Sequence, residues 1–154
     1  MSEEYKGRVI IAGRLEGEAV VSRKGFNTLA SFQKSAMSKK KEAICGDQNN
    51  PEVFGKNLTG KVLCLPKTIG STTGGMVLQT AAHLGIAPAA LLFSEEIDSL
   101  AASGVILAEI WDDNRIITID QLGSGFLEAV EDGDKIEIDD TGTVRIIKEK
   151  TQQN

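Results

Sequence analysis

Residues 61–84, KVLCLPKTIGSTTGGMVLQTAAHL, decide how the rest of the chain is read. A short apolar run, KVLCL, meets a loop rich in glycine and hydroxyls. Met76, Val77, Thr80, Ala81 and Leu84 then recur at helical spacing, and Gly85 ends the pattern as a C′ glycine. The stretch predicts a strand, a turn, and a helix over Thr72–Leu84 with Ser71, Thr72 and Thr73 at its first turn. A helix start gathers unpaired backbone N–H groups and the positive end of the dipole, so a hydroxyl or a docking anion is favoured there. The same residues also suit an ordinary helix start, because Ser and Thr are preferred N-caps and Gly70, Gly74 and Gly75 fit a tight turn and close helix packing. Spacing argues against the phosphate loop GxxxxGK[ST]: Gly70, not lysine, precedes Ser71, and Lys67 lies on the wrong side of the loop.

Downstream, PAALLF reads as a buried strand, IDSLAASG as a short helix, VILAEI and RIITI as strands, and GSGFLEAV as a short helix. KIEID and TVRIIK, joined by DDTG, predict a closing hairpin. Upstream, GRVIIAG and EGEAVVS read as a hairpin turning at Arg14–Gly17. Between Arg23 and Asn57 periodicity weakens through the basic KSAMSKKKE and the turn-rich CGDQNNPEVFGKN, which predicts a functional loop or lid. Together the segments predict one domain over residues 1–154 of the α/β or β/β/α class. A central, mixed and partly parallel sheet would carry helices and be flanked by hairpins from both termini. Ligands in such sheets lie beyond the carboxyl ends of parallel strands, where the loop after KVLCL sits. The loop after PAALLF presents Glu95, Glu96 and Asp98 at another such end, and these equally read as a solvated helix start. His83, near a helix end, reads as a last-turn residue rather than a base.

A chain of 154 residues, 41% hydrophobic, is long enough to bury an ordinary core. Its net charge of −5 gives no electrostatic reason to expect nucleic acid or an anionic membrane. MSEEYKGR lacks an apolar signal core, and no run approaches the roughly 18 apolar residues of a membrane span, so a cytoplasmic location is expected. Cys45 and Cys64 stand 19 positions apart with His83 as the one histidine, too few soft ligands for a metal or cluster site of the chain's own. Cys64, inside VLCLP, reads as a buried thiol, and Cys45 faces either core or cleft beside GDQNNP. A disulfide is not expected in a cytoplasmic chain.

The order GRVIIAGRLEGEAVVS, DQNNPEVFGKNLTGKVLCLPKTIGSTTGG, GIAPAALLFSE and LEAVEDGDKIEIDDTGTVRI resembles the small subunit, or swivelling domain, of the aconitase X family. The resemblance covers most of the chain and is weakest between Arg23 and Ile44. It implies a swivelling β/β/α fold and a hydro-lyase whose large part holds the iron–sulfur cluster, on the same or a separate chain. Activities in the family include phosphomevalonate dehydration and dehydration of cis-3-hydroxy-L-proline. The resemblance therefore implies the small subunit of a phosphomevalonate dehydratase-like enzyme, a hydroxyproline dehydratase small subunit being the alternative. The family loop reads close to GRGSSSGS, and its first serine, taken as the base, corresponds to Ser71. Gly70, Thr72 and Thr73 match the same loop and are expected to bind substrate, Thr72 and Thr73 otherwise capping the helix, and Arg14, in GRLEGEA, matches a family motif and either pairs with a substrate carboxylate or phosphate or stands as a surface residue after a strand. Where the family has a His-Pro pair, this chain has Asn50-Pro51. The implied partners are a large aconitase X-type subunit, which carries the cluster, and a small-molecule substrate. Two other classes compete: a non-catalytic swivelling or regulatory module that binds a partner, and a phosphohistidine carrier, which the position of His83 disfavours.

Overall fold

The computed structural model describes residues 2–38, 41–70, 73–111 and 114–148. In chain order, the described residues form β1 (Ser2–Lys6), β2 (Arg8–Ile11), β3 (Leu15–Val21), β4 (Phe26–Asn27), α1 (Thr28–Met37), β5 (Val62–Leu65), β6 (Thr68–Ile69) and α2 (Gly74–His83). They continue with β7 (Ala90–Phe93), α3 (Ser99–Trp111), β8 (Ile117–Asp120), α4 (Ser124–Ala129), β9 (Lys135–Ile138) and β10 (Thr143–Ile147). Eight strands join one sheet in the order β1-β10-β9-β3-β5-β7-β8-β2, and β4 and β6 make a separate parallel pair. Strands β3, β5, β7 and β8 run parallel, and the strands outside them pair antiparallel. This is the expected mixed, partly parallel sheet.

Connectivity dictates the shape of that sheet. β1 and β2 lie on its opposite edges, yet Gly7 alone separates them. Laid flat, eight strands would put the edges about 34 Å apart, whereas one intervening residue spans about 7 Å. The sheet therefore curls until its edges meet at Gly7. There the Gly7 N–H donates to the Gly142 carbonyl at 3.1 Å, and a Cβ on Gly7 would stand 2.3 Å from the Asp120 carbonyl oxygen.

Curling gives the central strands two apolar faces. Along β5, Val62 and Cys64 point into the interior of the curled sheet with Ala19, Ile119, Phe126, Ile136 and Val144, while Leu63 and Leu65 face a second core beneath α1, α2 and α3. β7 alternates in the same way, Ala90 and Leu92 inward and Leu91 and Phe93 outward. This is why KVLCL and PAALLF read as continuous apolar runs rather than alternating ones. The Tyr5 and Phe126 rings meet edge to face at 5.4 Å and bring α4 to the same interior.

Three sequence expectations are corrected. GRVIIAG and EGEAVVS are strands but do not form a hairpin: β2 pairs with β8, and β3 with β9 and β5. The expected turn at Arg14–Gly17 is displaced because β3 begins at Leu15. VILAEI is the second half of the 13-residue α3, whose buried face is Ala101, Gly104, Val105 and Ala108, while Ile106 and Ile110 stand exposed and mimic a strand's apolar run. The Arg23–Asn57 segment is no bare loop: it holds β4 and α1 and sends Phe26, Phe32, Ala43, Cys45 and Val53 into the core. Its helix was hidden because the buried face of α1 is mostly hydroxyls, Thr28, Ser31 and Ser35 beside Phe32.

The closure at Gly7 is testable by a single methyl. Gly7→Ala should destabilise the chain by about 1–3 kcal/mol or more, because the new Cβ meets backbone that cannot rotate away. Gly125→Ala, in α4 with nothing within 4 Å of its added Cβ, should be neutral or slightly stabilising. Denaturant melts of the two variants give the comparison.

Candidate functional site

The loop between β5 and α2 leaves the carboxyl edge of the parallel strands and is anchored at three points. Its first turn is bound to the segment after β3, the Phe26 N–H donating to the Lys67 carbonyl at 2.9 Å, and β4 and β6 then run side by side as Phe26–Thr68 and Asn27–Ile69. Asp98 makes the second anchor. One carboxylate oxygen accepts the Thr68 N–H at 3.0 Å, and the other accepts the Thr68 hydroxyl at 2.6 Å and the Ala101 N–H at 3.0 Å, so one side chain holds the loop and caps α3. Gly70 makes the third. It has φ of 103°, and an added Cβ would lie 2.7 Å from Asn27 Oδ1, the oxygen that caps α1 by accepting the Ala30 N–H at 3.0 Å. No side chain other than hydrogen fits there.

Three helix starts converge as a result. The Thr73 carbonyl accepts the Val77 N–H at 3.0 Å, and Gly74 opens α2 with its added Cβ position 3.5 Å from Thr28 at the start of α1. Farther along, α2 and α3 cross so closely that a Cβ on Gly75 would stand 2.6 Å from the Leu100 carbonyl, and one on Gly104 2.8 Å from the Gly75 carbonyl. Gly75 is thus a packing residue, as the plainer sequence reading has it. Buried Asp120 steadies the neighbouring loop: Arg8 donates to it from Nε at 3.0 Å and Nη2 at 2.7 Å, and the Ile97 N–H donates at 2.8 Å.

Among the sequence candidates, Gly70 and Thr73 flank this junction, and Thr73 holds the N-cap position of α2 without a side-chain cap bond. Ser71 and Thr72 lie outside the described residues. Arg14 is not brought to the loop. It precedes the amino end of β3, about 20 Å of strand away from the carboxyl edge, and its side chain is 75% exposed with Nη2 3.4 Å from Asp140. His83 is exposed in the last turn of α2, one helix length below the junction. Asn27 and Asp98 are the residues that sequence reasoning missed or under-read. An Asn just before a helix and an Asp just before another are N-cap signals, visible only once the helices of their segments are recognised.

Both cysteines are buried and free. Cys64 is fully buried inside the curled sheet, where burial, reinforced by the charges of Asp132 and Asp134, pushes its thiol far up and keeps it protonated. No group of three or more His, Cys, Asp or Glu able to hold a metal is formed among the described residues.

A curled β sheet bearing helices on one side and a glycine–hydroxyl loop at its parallel-strand ends is the architecture of a swivelling domain. The aconitase X swivel domain matches this chain over residues 4–146, and the chain belongs to that family. It is 34% identical to the phosphomevalonate dehydratase small subunit of Pyrococcus furiosus, over 88% of this chain and 94% of that one. It is 32% identical to the protein of the same name in Methanosarcina acetivorans, over 96% and 93% of the two chains. The crystal structure of Thermococcus kodakaraensis aconitase X (holo-form) superposes with a TM-score of 0.78 at 28% identity, covering 95% of this chain and 99% of that one.

Asp98→Ala should free the Thr68 and Ala101 donors together, lowering stability by about 1–3 kcal/mol. Amide exchange should accelerate at Thr68, Gly70 and the first turn of α3 while β9 and β10 stay protected. Exchange monitored residue by residue checks this.

Proposed function

We propose that this chain is the small subunit of a heteromeric dehydratase of the aconitase X type, closest in role to a phosphomevalonate dehydratase small subunit, and that it works in the cytoplasm. The observation that carries the proposal is the end-to-end match to proteins of that name, reaching 96% of this chain and 93% of the Methanosarcina relative. The convergence of three helix starts beside Gly70 supports this reading, because helix starts favour anionic groups.

Ser71 is the base in this proposal. It follows Gly70, whose side-chain-free position against Asn27 sets the course of the loop, and it precedes the first residue of α2, Gly74, by three positions. A serine hydroxyl removes a proton from carbon only when its alkoxide is stabilised, and oriented N–H donors at a helix start supply that in a site closed to water. The proton removed is the one on the carbon beside a carboxylate or similar activating group, and departure of the hydroxyl from the neighbouring carbon completes the elimination. Thr72 and Thr73 bind substrate oxygen. The cluster belongs to the large partner, in keeping with a Cys64 thiol held protonated inside the sheet, and the chain alone is folded but inactive.

In the enzyme assembled with its large subunit, Ser71→Ala should lower kcat by about a hundredfold or more while stability changes by about 1 kcal/mol. Steady-state kinetics with phosphomevalonate and with cis-3-hydroxy-L-proline, alongside melts, make the measurement. A near-normal kcat with the subunits still joined would leave Ser71 as a helix-start residue and the chain as a binding module. Replacing both Cys45 and Cys64 by Ala should leave the iron content of the assembled enzyme unchanged; loss of iron would place ligands on this chain.

A further inference from the structure

Asn27 engages only one end of its amide. It closes β4, half-buried, and its Oδ1 accepts the Ala30 N–H at 3.0 Å. That bond fixes which way round the amide lies, because a backbone N–H can only donate and the atom opposite it must be the oxygen. Gly70 holds the group from the side. A Cβ on Gly70 would stand 2.7 Å from Oδ1 and 2.8 Å from both Cγ and Nδ2, so the loop lies across the face of the amide. Oxygen and face are held, and the direction of Nδ2 follows from both. Nδ2 itself has no acceptor among the described residues. Asn50, Asn57 and Asn114, by contrast, each donate from Nδ2 within the protein, to Ser22 Oγ, to Glu42 and to the Ala82 carbonyl. Asp98, the carboxylate that anchors the same loop, is committed to Thr68 and Ala101.

A helix cap needs only the oxygen, and Asp or Ser provides one equally well. The amide adds two N–H bonds that the fold does not use, carried on a group held still against Gly70, the residue directly before Ser71. A fixed neutral donor of this kind acts most strongly where negative charge develops during a reaction. In the elimination proposed above, that charge builds on the carboxylate beside the carbon that loses its proton. We propose that Asn27 Nδ2 donates to an oxygen of that substrate carboxylate and steadies the charge as it builds. The inference rests on the dehydratase reading and adds one substrate contact to it. Phosphomevalonate and cis-3-hydroxy-L-proline both carry the carboxylate, so the contact serves either substrate.

The test is steady-state kinetics of two variants in the enzyme assembled with its large subunit, with melts of each chain as the control for folding. Asn27→Ser keeps a capping oxygen and removes the donor, and should lower kcat/KM by about tenfold or more. Asn27→Asp keeps the cap and the shape that lies against Gly70 but turns a second acceptor toward the carboxylate. It should lower kcat/KM by about a further tenfold, because two like charges are brought face to face. Melts of both variants should match the unaltered chain. The order of the two variants separates a substrate contact from a support for the loop, since Asp is the closer match in shape and a purely structural role makes it the milder change. An Asp variant with near-normal kcat/KM, or one less impaired than the Ser variant, would overturn the contact and leave the dehydratase reading standing. If the unaltered assembled enzyme turns over neither substrate, that reading fails and the contact with it.

Discussion

One residue between two edge strands constrains everything else in this molecule. Because Gly7 alone links β1 to β2, and these strands lie at opposite edges of an eight-stranded order, the sheet has no open form. Closure brings Gly7 under the Asp120 carbonyl and against Gly142, and Asp120 in turn receives both Arg8 nitrogens and the Ile97 amide. The seam of the sheet is thereby tied to the loop that precedes α3. A buried carboxylate in this setting is stable because its charge is met by a bidentate guanidinium and a backbone donor, the condition under which burying a charge is tolerated.

From that closure follows the division of labour between the two cores. The inward residues of β5 and β7 fill the curled sheet, and their outward neighbours seat three helices whose starts all face the same edge. Parallel strands deliver each helix start to the carboxyl edge as a matter of geometry, so the loop at Gly70 inherits a position beside the positive ends of the helix dipoles. Asn27 and Asp98 spend their side chains on holding that loop still, each serving a helix cap and a loop contact at once.

What could be read from the sequence was what is local. KVLCL and PAALLF are legible as strands because the residues of a doubly buried strand are apolar, and DDTG announces its hairpin because the turn lies within the motif. Gly70 was legible as a turn glycine, although the reason for it, Asn27, lies 43 positions upstream. α1 escaped notice because a helix that buries Thr28, Ser31 and Ser35 leaves no hydrophobic period. α3 was cut in two because its buried stripe is made of small residues while its exposed side carries Ile106, Ile110 and Trp111. The N-terminal strands were paired with each other because proximity in sequence favours a hairpin, and only the closure at Gly7 makes distant partners obligatory.

The pairing of β1 with β10 has a consequence for how such a domain is wired to other chains. Ser2 sits opposite Ile147 in that antiparallel ladder, so the described chain begins and finishes side by side at one point of the sheet. A tether added before β1 or after β10 would leave the domain from the same place, and the carboxyl-edge loop would present the same face to whatever the tether carried. Gene fusion in either order, or no fusion at all, is then architecturally equivalent, and a circular permutant that joins these ends and opens elsewhere should keep the sheet's strand order intact.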